Sequence, residues 1–133
     1  FTSIPVFIEG SSPATTLLLE ELACSLSRNV RCLSGEKRRY LHLSAVFACN
    51  FVNHMYTLAS EIIGKEDIPF EVLIPLITET AAKVTEMTPQ EAQTGPAVRS
   101  DEAVMRSHVS MLTNQLMKDI YILISKSIYH HSL

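Results

Sequence analysis

"EKRRYLHLSAVFACNFVNHMYTLASEII", residues 36–63, is the stretch on which the fold turns. It holds no proline or glycine and Gly64 follows it, so its pattern predicts one helix from about Glu36 to Ile63, ended by that glycine. At the α-helical rise, roughly 28 residues make about 42 Å, too long for a surface helix of a small domain. Its middle, "LSAVFACNFVNHMYTLA", is apolar almost all round, which predicts the central helix of a bundle.

Towards the N-terminus, "IPVFIEG" (Ile4–Gly10) reads as a short strand closed by glycine. Ser12 and Pro13 supply an N-cap and a first-turn proline. Leu17, Leu18, Leu22 and Leu26 then continue as an amphipathic helix to about Arg28. "NVRCLS" (Asn29–Ser34) reads as a second strand. Strand, helix and strand in this order form a βαβ unit with a parallel pair. Parallel sheets are normally buried on both faces, so residues 1–34 read as the edge of a larger α/β sheet and residues 35–133 as a helical domain. The expected fold class is mainly α: a helical bundle around one long central helix, preceded by a short βαβ remnant.

Towards the C-terminus, a second helix is expected from Pro69 to about Met87, with Pro75 kinking it or delaying its regular start. "MTPQEAQTGPAVRS" (87–100) is a connection with one helical turn after Thr88-Pro89. Ser100 or Asp101 caps a helix to about Leu112, and Asn114 opens a last helix to about Tyr129.

The 133 residues are one domain's worth, 47% hydrophobic and 19% charged, enough for a core. A net charge of -3 and a pI near 5.9 argue against a nucleic-acid partner. No apolar run approaches the ~20 residues a bilayer span needs, so no transmembrane segment is expected. Cys24, Cys32 and Cys49 are odd in number and form no CxxC, which predicts three buried thiols in a reducing, cytoplasmic setting. The chain begins at Phe1 with no signal-peptide pattern. We therefore expect a cut N-terminus and a catalytic half lying elsewhere.

Two groups of residues could carry chemistry. On the long helix, His42, Val46, Cys49 and Asn53 fall on one regular stripe, and Leu43, Phe47, Asn50 and His54 on the next. Asn50, Asn53, His54 and His42 are either satisfied interhelix polar groups or residues facing a ligand cleft. His42 and His54 are about 18 Å apart along the helix, so one ion cannot bridge them. His130-His131 reads as a solvated tail, and no metal site is expected. The second group is "AQTGPAVRSDEAVMRSHVSML" (92–112). There Gly95 can take a positive φ, Pro96 stiffens the turn, and Arg99 stands beside a helix start that could hold a carboxylate or phosphate. Asp101 and Glu102 compete for that positive end, and an Arg99–Asp101 pair with a packing His108 is the bland alternative. Neither GxSxG nor GxGxxG occurs, so the chain has no nucleophile elbow and no dinucleotide fingerprint of its own.

Taken together, "YLHLSAVFACNFVNHMYTLA", "PFEVLIPLITETAAKV" and "AQTGPAVRSDEAVMRSHVSML" resemble a bacterial family of Rossmann-like proteins labelled NADP oxidoreductases, which carry a helical C-terminal domain of unknown function. The most specific part is T-G-P-x-x-R-x-D…H, matched by Thr94, Gly95, Pro96, Arg99, Asp101 and His108. The resemblance implies that residues 1–34 are the last βαβ unit of a Rossmann-like domain, and that NADP or NAD sits on a missing N-terminal domain. It is similar in architecture to 6-phosphogluconate dehydrogenase-type C-terminal domains, whose first long helix lines a substrate cleft and whose helical domains pair subunits. Several such enzymes carry a lysine four residues before an asparagine on that helix. Here Asn50 matches the asparagine and Val46, which has no proton to give, stands at the lysine's place.

Two functions follow from the resemblance. In the first, residues 35–133 are the substrate-binding and dimerisation domain of an NAD(P)-dependent oxidoreductase, inactive as this fragment. Asn50, Asn53 and His54 then line the cleft, and Thr94, Gly95 and Asp101 take part in substrate binding. Arg99 holds a small anionic substrate, and His42, His54 or His108 supplies a proton. In the second, the same domain is a non-catalytic dimerisation or partner-binding module of a nucleotide-binding protein. Leu116, Ile120, Leu123, Ile124 and Ile128 on the last helix would be intrachain core or a homodimer seam.

Overall fold

The computed structural model describes residue 2 and residues 4–132. Phe1, on which the reading of a cut terminus rests, lies outside the described residues. The described chain is mainly helical, with a small two-stranded parallel sheet at its N-terminal end. It divides into two compact units, Phe1–Met55 and Tyr56–Leu133.

In the first unit, β1 (Val6–Ile8), α1 (Pro13–Leu26) and β2 (Val30–Cys32) form the expected βαβ motif, with Val6 opposite Val30 and Ile8 opposite Cys32. Local chemistry sets the ends of α1. Ser12 Oγ accepts the Thr15 amide at 3.2 Å, and Pro13 enters the first turn, where its missing N–H is no loss. At the other end Ser27 donates its hydroxyl to the Ile4 carbonyl at 2.6 Å and accepts the Asn29 amide at 3.1 Å. Ser27 is only 3% exposed, so both bonds compensate its burial. Ile8 and Ala23 are buried, whereas Leu18 and Leu22, one helical turn apart, remain exposed.

The long helix is there, but it is not regular. α2 (Gly35–Ala45) runs into a π-helical segment (Val46–Phe51) and then α3 (Val52–Gly64). A π turn carries an extra residue, which rotates everything after it by roughly 100° relative to an α-helix. The stripes drawn at regular spacing therefore shear: His42 and Asn53 are turned roughly a quarter-turn apart. The expected enclosure of the middle is also absent, since no residue of α2, the π segment or α3 is buried. At the start of α2, Arg38 bonds Glu9 Oε2 at 2.8 Å and the Leu33 carbonyl at 2.7 Å, joining the ends of both strands to the helix.

In the second unit, Pro75 delays a helix rather than kinking one. A 3₁₀ turn (Phe70–Leu73) precedes α4 (Ile74–Lys83), which starts with Pro75 in its first turn and ends short of Met87. α5 (Pro89–Ala92) is the single turn expected after Thr88. α6 (Glu102–Met111) is capped by Asp101, and α7 (Gln115–His131) by Asn114. His130 and His131 are thus the last turn of a helix and not a tail; Gln90 Nε2 donates to the His131 carbonyl at 2.8 Å. Ala97 and Met117 are buried here.

The cysteines are free, as their spacing implied, but Cys24, Cys32 and Cys49 are all exposed. Their odd number and spacing argue against a framework of disulfides; they do not say which faces other elements cover. Among the described residues no helix is long and apolar enough to cross a membrane.

Candidate functional site

In the first unit the candidate side chains stand in the open. His42, Asn50, Asn53 and His54 are exposed, so the cost of burying them does not arise. Val46 is half-buried at the first position of the π segment, and Asn50 lies within the same segment. Phe47 and Phe51 meet edge to face at 4.9 Å across it, a favoured aromatic geometry. π turns inside α-helices recur at functional sites because they re-aim the side chains beyond them. Asn50, matched by resemblance to the asparagine of related enzymes, lies within this irregularity.

In the second unit the turn before α6 is built from local bonds. Gly95 takes φ +114, with open space where a Cβ would sit. The Asp101 amide bonds the Pro96 carbonyl at 2.9 Å, and Ser100 sits in the left-handed region at φ 54. A non-glycine residue there stores strain, a feature that clusters at functional sites. Asp101 turns its carboxylate inward to accept the Val104 amide at 3.1 Å, occupying the positive end of α6 itself. No Arg99–Asp101 pair forms among the described residues: Arg99 is exposed and makes no ion pair there. Among the described residues Arg99 is thus an unpaired guanidinium beside a strained turn, while Asp101 occupies the helix end.

Ahead of that turn, Thr88 and Glu91 form a reciprocal capping box on α5. Thr88 Oγ1 donates to the Glu91 carboxylate at 2.6 Å and the Thr88 amide does so at 2.9 Å. Those bonds, the hydroxyl's first, hold the Glu91 carboxyl below the ordinary range. Thr94 is exposed, and its carbonyl accepts the Gln93 side-chain amide at 2.9 Å.

His108 is committed to packing between helices. Its Nδ1 lies 2.9 Å from the Tyr121 hydroxyl, with the rings edge to face at 5.8 Å. Tyr121 in turn lines a groove of about 650 Å³ between α6 and α7. Met105, Val109, Ile122 and Tyr129 supply apolar walls, and Arg106, Lys118 and Lys126 contribute cations. Ser100 and Glu102, read from the sequence as helix-start residues, line this groove, but none of His42, Asn50, Asn53, His54, Thr94, Gly95, Arg99, Asp101 or His108 does. A signal for it existed: Lys118, Tyr121, Ile122, Ser125 and Tyr129 recur at helical spacing on α7, as do Glu102, Met105, Arg106 and Val109 on α6. The broader apolar face of α7 drew the reading away from them. On that face Leu116 is 65% and Leu123 70% exposed, so neither is intrachain core among the described residues. No three His, Cys, Asp or Glu side chains come together to hold a metal among the described residues.

The family described as a domain of unknown function (DUF2520) matches residues 4–128. Among solved structures, the crystal structure of BF3122, a "putative NADP oxidoreductase" from Bacteroides fragilis, is similar, with a TM-score of 0.93 and 49% sequence identity. The likeness covers 98% of this chain and 51% of that one, so the chain spans about half the length of the solved protein. No curated protein sequence matches.

Proposed function

The chain belongs to the family of domains of unknown function DUF2520, and from that premise we propose that it is the helical substrate-binding and dimerisation part of an NADP-dependent oxidoreductase, of the 6-phosphogluconate dehydrogenase C-terminal type. The observation that carries the reading is the 49% identity to about half of a protein described as a "putative NADP oxidoreductase". The coincidence of the π segment with Asn50, and of the strained Ser100 turn with Arg99, supports it.

NADP would lie on another domain. The βα turn of the described sheet does not carry the features of a dinucleotide phosphate site: it has a single glycine, Gly10, with no GxGxxG, and Ser12 already caps the start of α1. This chain's own residues would bind and orient the substrate. In this reading Arg99, in the second unit, offers a cation to an anionic substrate group, and Asn50, Asn53 and His54, in the first, offer polar side chains to a substrate. A proton would come from His42 or His54, since Val46 has none to give and His108 is engaged with the Tyr121 hydroxyl.

The test is thermal unfolding of this chain joined to a cofactor domain, with NADPH or NADH and a panel of small oxo- and hydroxyacids. A ligand at a hundred times its Kd stabilises the fold by about 2.7 kcal/mol, a readily measured rise in Tm. NADPH should raise Tm, one acid should raise it further, and Arg99→Ala or Asn50→Ala should remove only the second rise. If the nucleotide binds and no acid adds to it, the substrate reading is refuted. A non-catalytic dimerisation module then takes its place, for which the open face of Leu116 and Leu123 speaks. In either case we propose a homodimer through the helical domain in the cytoplasm.

A further inference from the structure

We propose that the groove between α6 and α7 binds a small anionic amphiphile, a molecule with an apolar body and one carboxylate or phosphate. Its volume of about 650 Å³ falls within the span of small-molecule sites, and its walls mix apolar side chains with a few polar ones as such sites do. Charge decides the class of ligand. Arg106, Lys118 and Lys126 line the groove against one carboxylate, Glu102. That carboxylate is spent on Arg106 at 2.8 Å. Lys118 and Lys126 are left without an ion pair among the described residues, a local excess of positive charge in a chain of net -3.

Lys118 is half-buried, so its ammonium is less screened than a surface charge and gains more from an anion. The two lysines stand about 12 Å apart along α7. An apolar body can lie between them, over Ile122, Val109 and Met105, with its head group at either end. Tyr121 lies between them in sequence, its hydroxyl oriented by His108 at 2.9 Å, and offers a positioned polar contact. The groove involves neither Arg99 nor Asn50, so this inference does not rest on the oxidoreductase reading.

The test is an amide-resolved NMR titration of the 133-residue chain with octanoate, octyl phosphate, octanol and octylammonium. The two anions should perturb residues 105–110 and 118–129 and bind at least about tenfold more tightly than the neutral and cationic analogues. Comparing octanoate with octyl phosphate shows which head group is preferred. Lys118→Met and Lys126→Met should each weaken octanoate about fivefold while leaving octanol unchanged. Lys118→Gln provides a polar replacement should the methionine variant not fold, and Lys83→Met, at a cation of the same unit outside the groove, should have no effect. Equal binding of octanol overturns the proposal, as do shifts that map elsewhere. Shifts that follow protein concentration instead of ligand also overturn it, and make the groove a contact for a second copy.

Discussion

Gly10→Ala is the perturbation whose outcome the geometry specifies most sharply. A Cβ at this position would lie 2.5 Å from the Thr16 amide nitrogen, 2.6 Å from Thr16 Oγ1 and 2.9 Å from the Thr15 carbonyl carbon. Two of those atoms are backbone in the first turn of α1, held there by the Ser12 cap and the Thr16–Ser12 bond. They cannot swing aside as a side-chain tip would. Overpacking of this kind costs about 1–3 kcal/mol, and the reduced freedom of the unfolded chain returns about 0.4–1 kcal/mol. A net loss of about 1–2 kcal/mol follows from these terms, or roughly 4–8 °C in Tm for a domain of this size. The assay is thermal unfolding followed by circular dichroism, with amide exchange in α1 as the local readout. Gly64→Ala is the control, because nothing lies within 4 Å of its Cβ and alanine favours the helix it ends. That variant should hold or raise Tm. The reasoning is refuted if Gly10→Ala stays within about 0.5 kcal/mol of the parent, the range of an ordinary surface change.

Ser27→Ala should cost about 1–3 kcal/mol, because it strands the Ile4 carbonyl and the Asn29 amide at a buried turn; urea unfolding measures it, and Ser27→Thr should recover part of the loss if the hydroxyl is what matters. Asp101→Ala should cost about 1 kcal/mol through loss of the α6 cap, and Asp101→Asn much less, a ranking that stability curves of the two variants will check. Glu91 gives a pH signature. Its carboxyl is held low in the folded chain, so its contribution is present above the ordinary carboxylate range and is lost as pH falls through the lowered value. Stability measured from neutral pH downward should therefore decline less steeply in Glu91→Gln than in the parent, and identical slopes would contradict the assignment.

The features read correctly from the chain are local ones. Ser12, Thr88, Asp101 and Asn114 cap the helices that follow them because each cap bonds amides two or three residues away. Gly95 takes the positive φ that Gly-Pro suggested, and Pro75 falls in a first turn where its missing N–H is harmless. The parallel β1–β2 pair follows from the length of the segment between the strands, too long for a hairpin and right for a helical crossover. Three stretches taken together, with T-G-P-x-x-R-x-D…H the most specific, suggested a family with a helical C-terminal domain of unknown function, and the match over residues 4–128 places the chain in DUF2520.

What the sequence could not decide was every property that depends on distant atoms. The π segment at Val46–Phe51 breaks a pattern that looks regular in one dimension, since an extra residue in a turn leaves the order of residues unchanged. Exposure of Cys24, Cys32 and Cys49, and of Leu116 and Leu123, depends on which element packs against which face, and hydrophobicity alone does not name the partner. His108 lies two helical turns from Asp101, yet its contact is with Tyr121, thirteen residues on. The α6–α7 groove is likewise a product of two helices that the chain specifies separately and only packing brings together. By itself the sequence determined where elements start, stop and turn, because those are contests among neighbouring backbone groups. Tertiary structure alone decided which faces stay open and which side chains meet, because burial and pairing are settled by elements far apart along the chain.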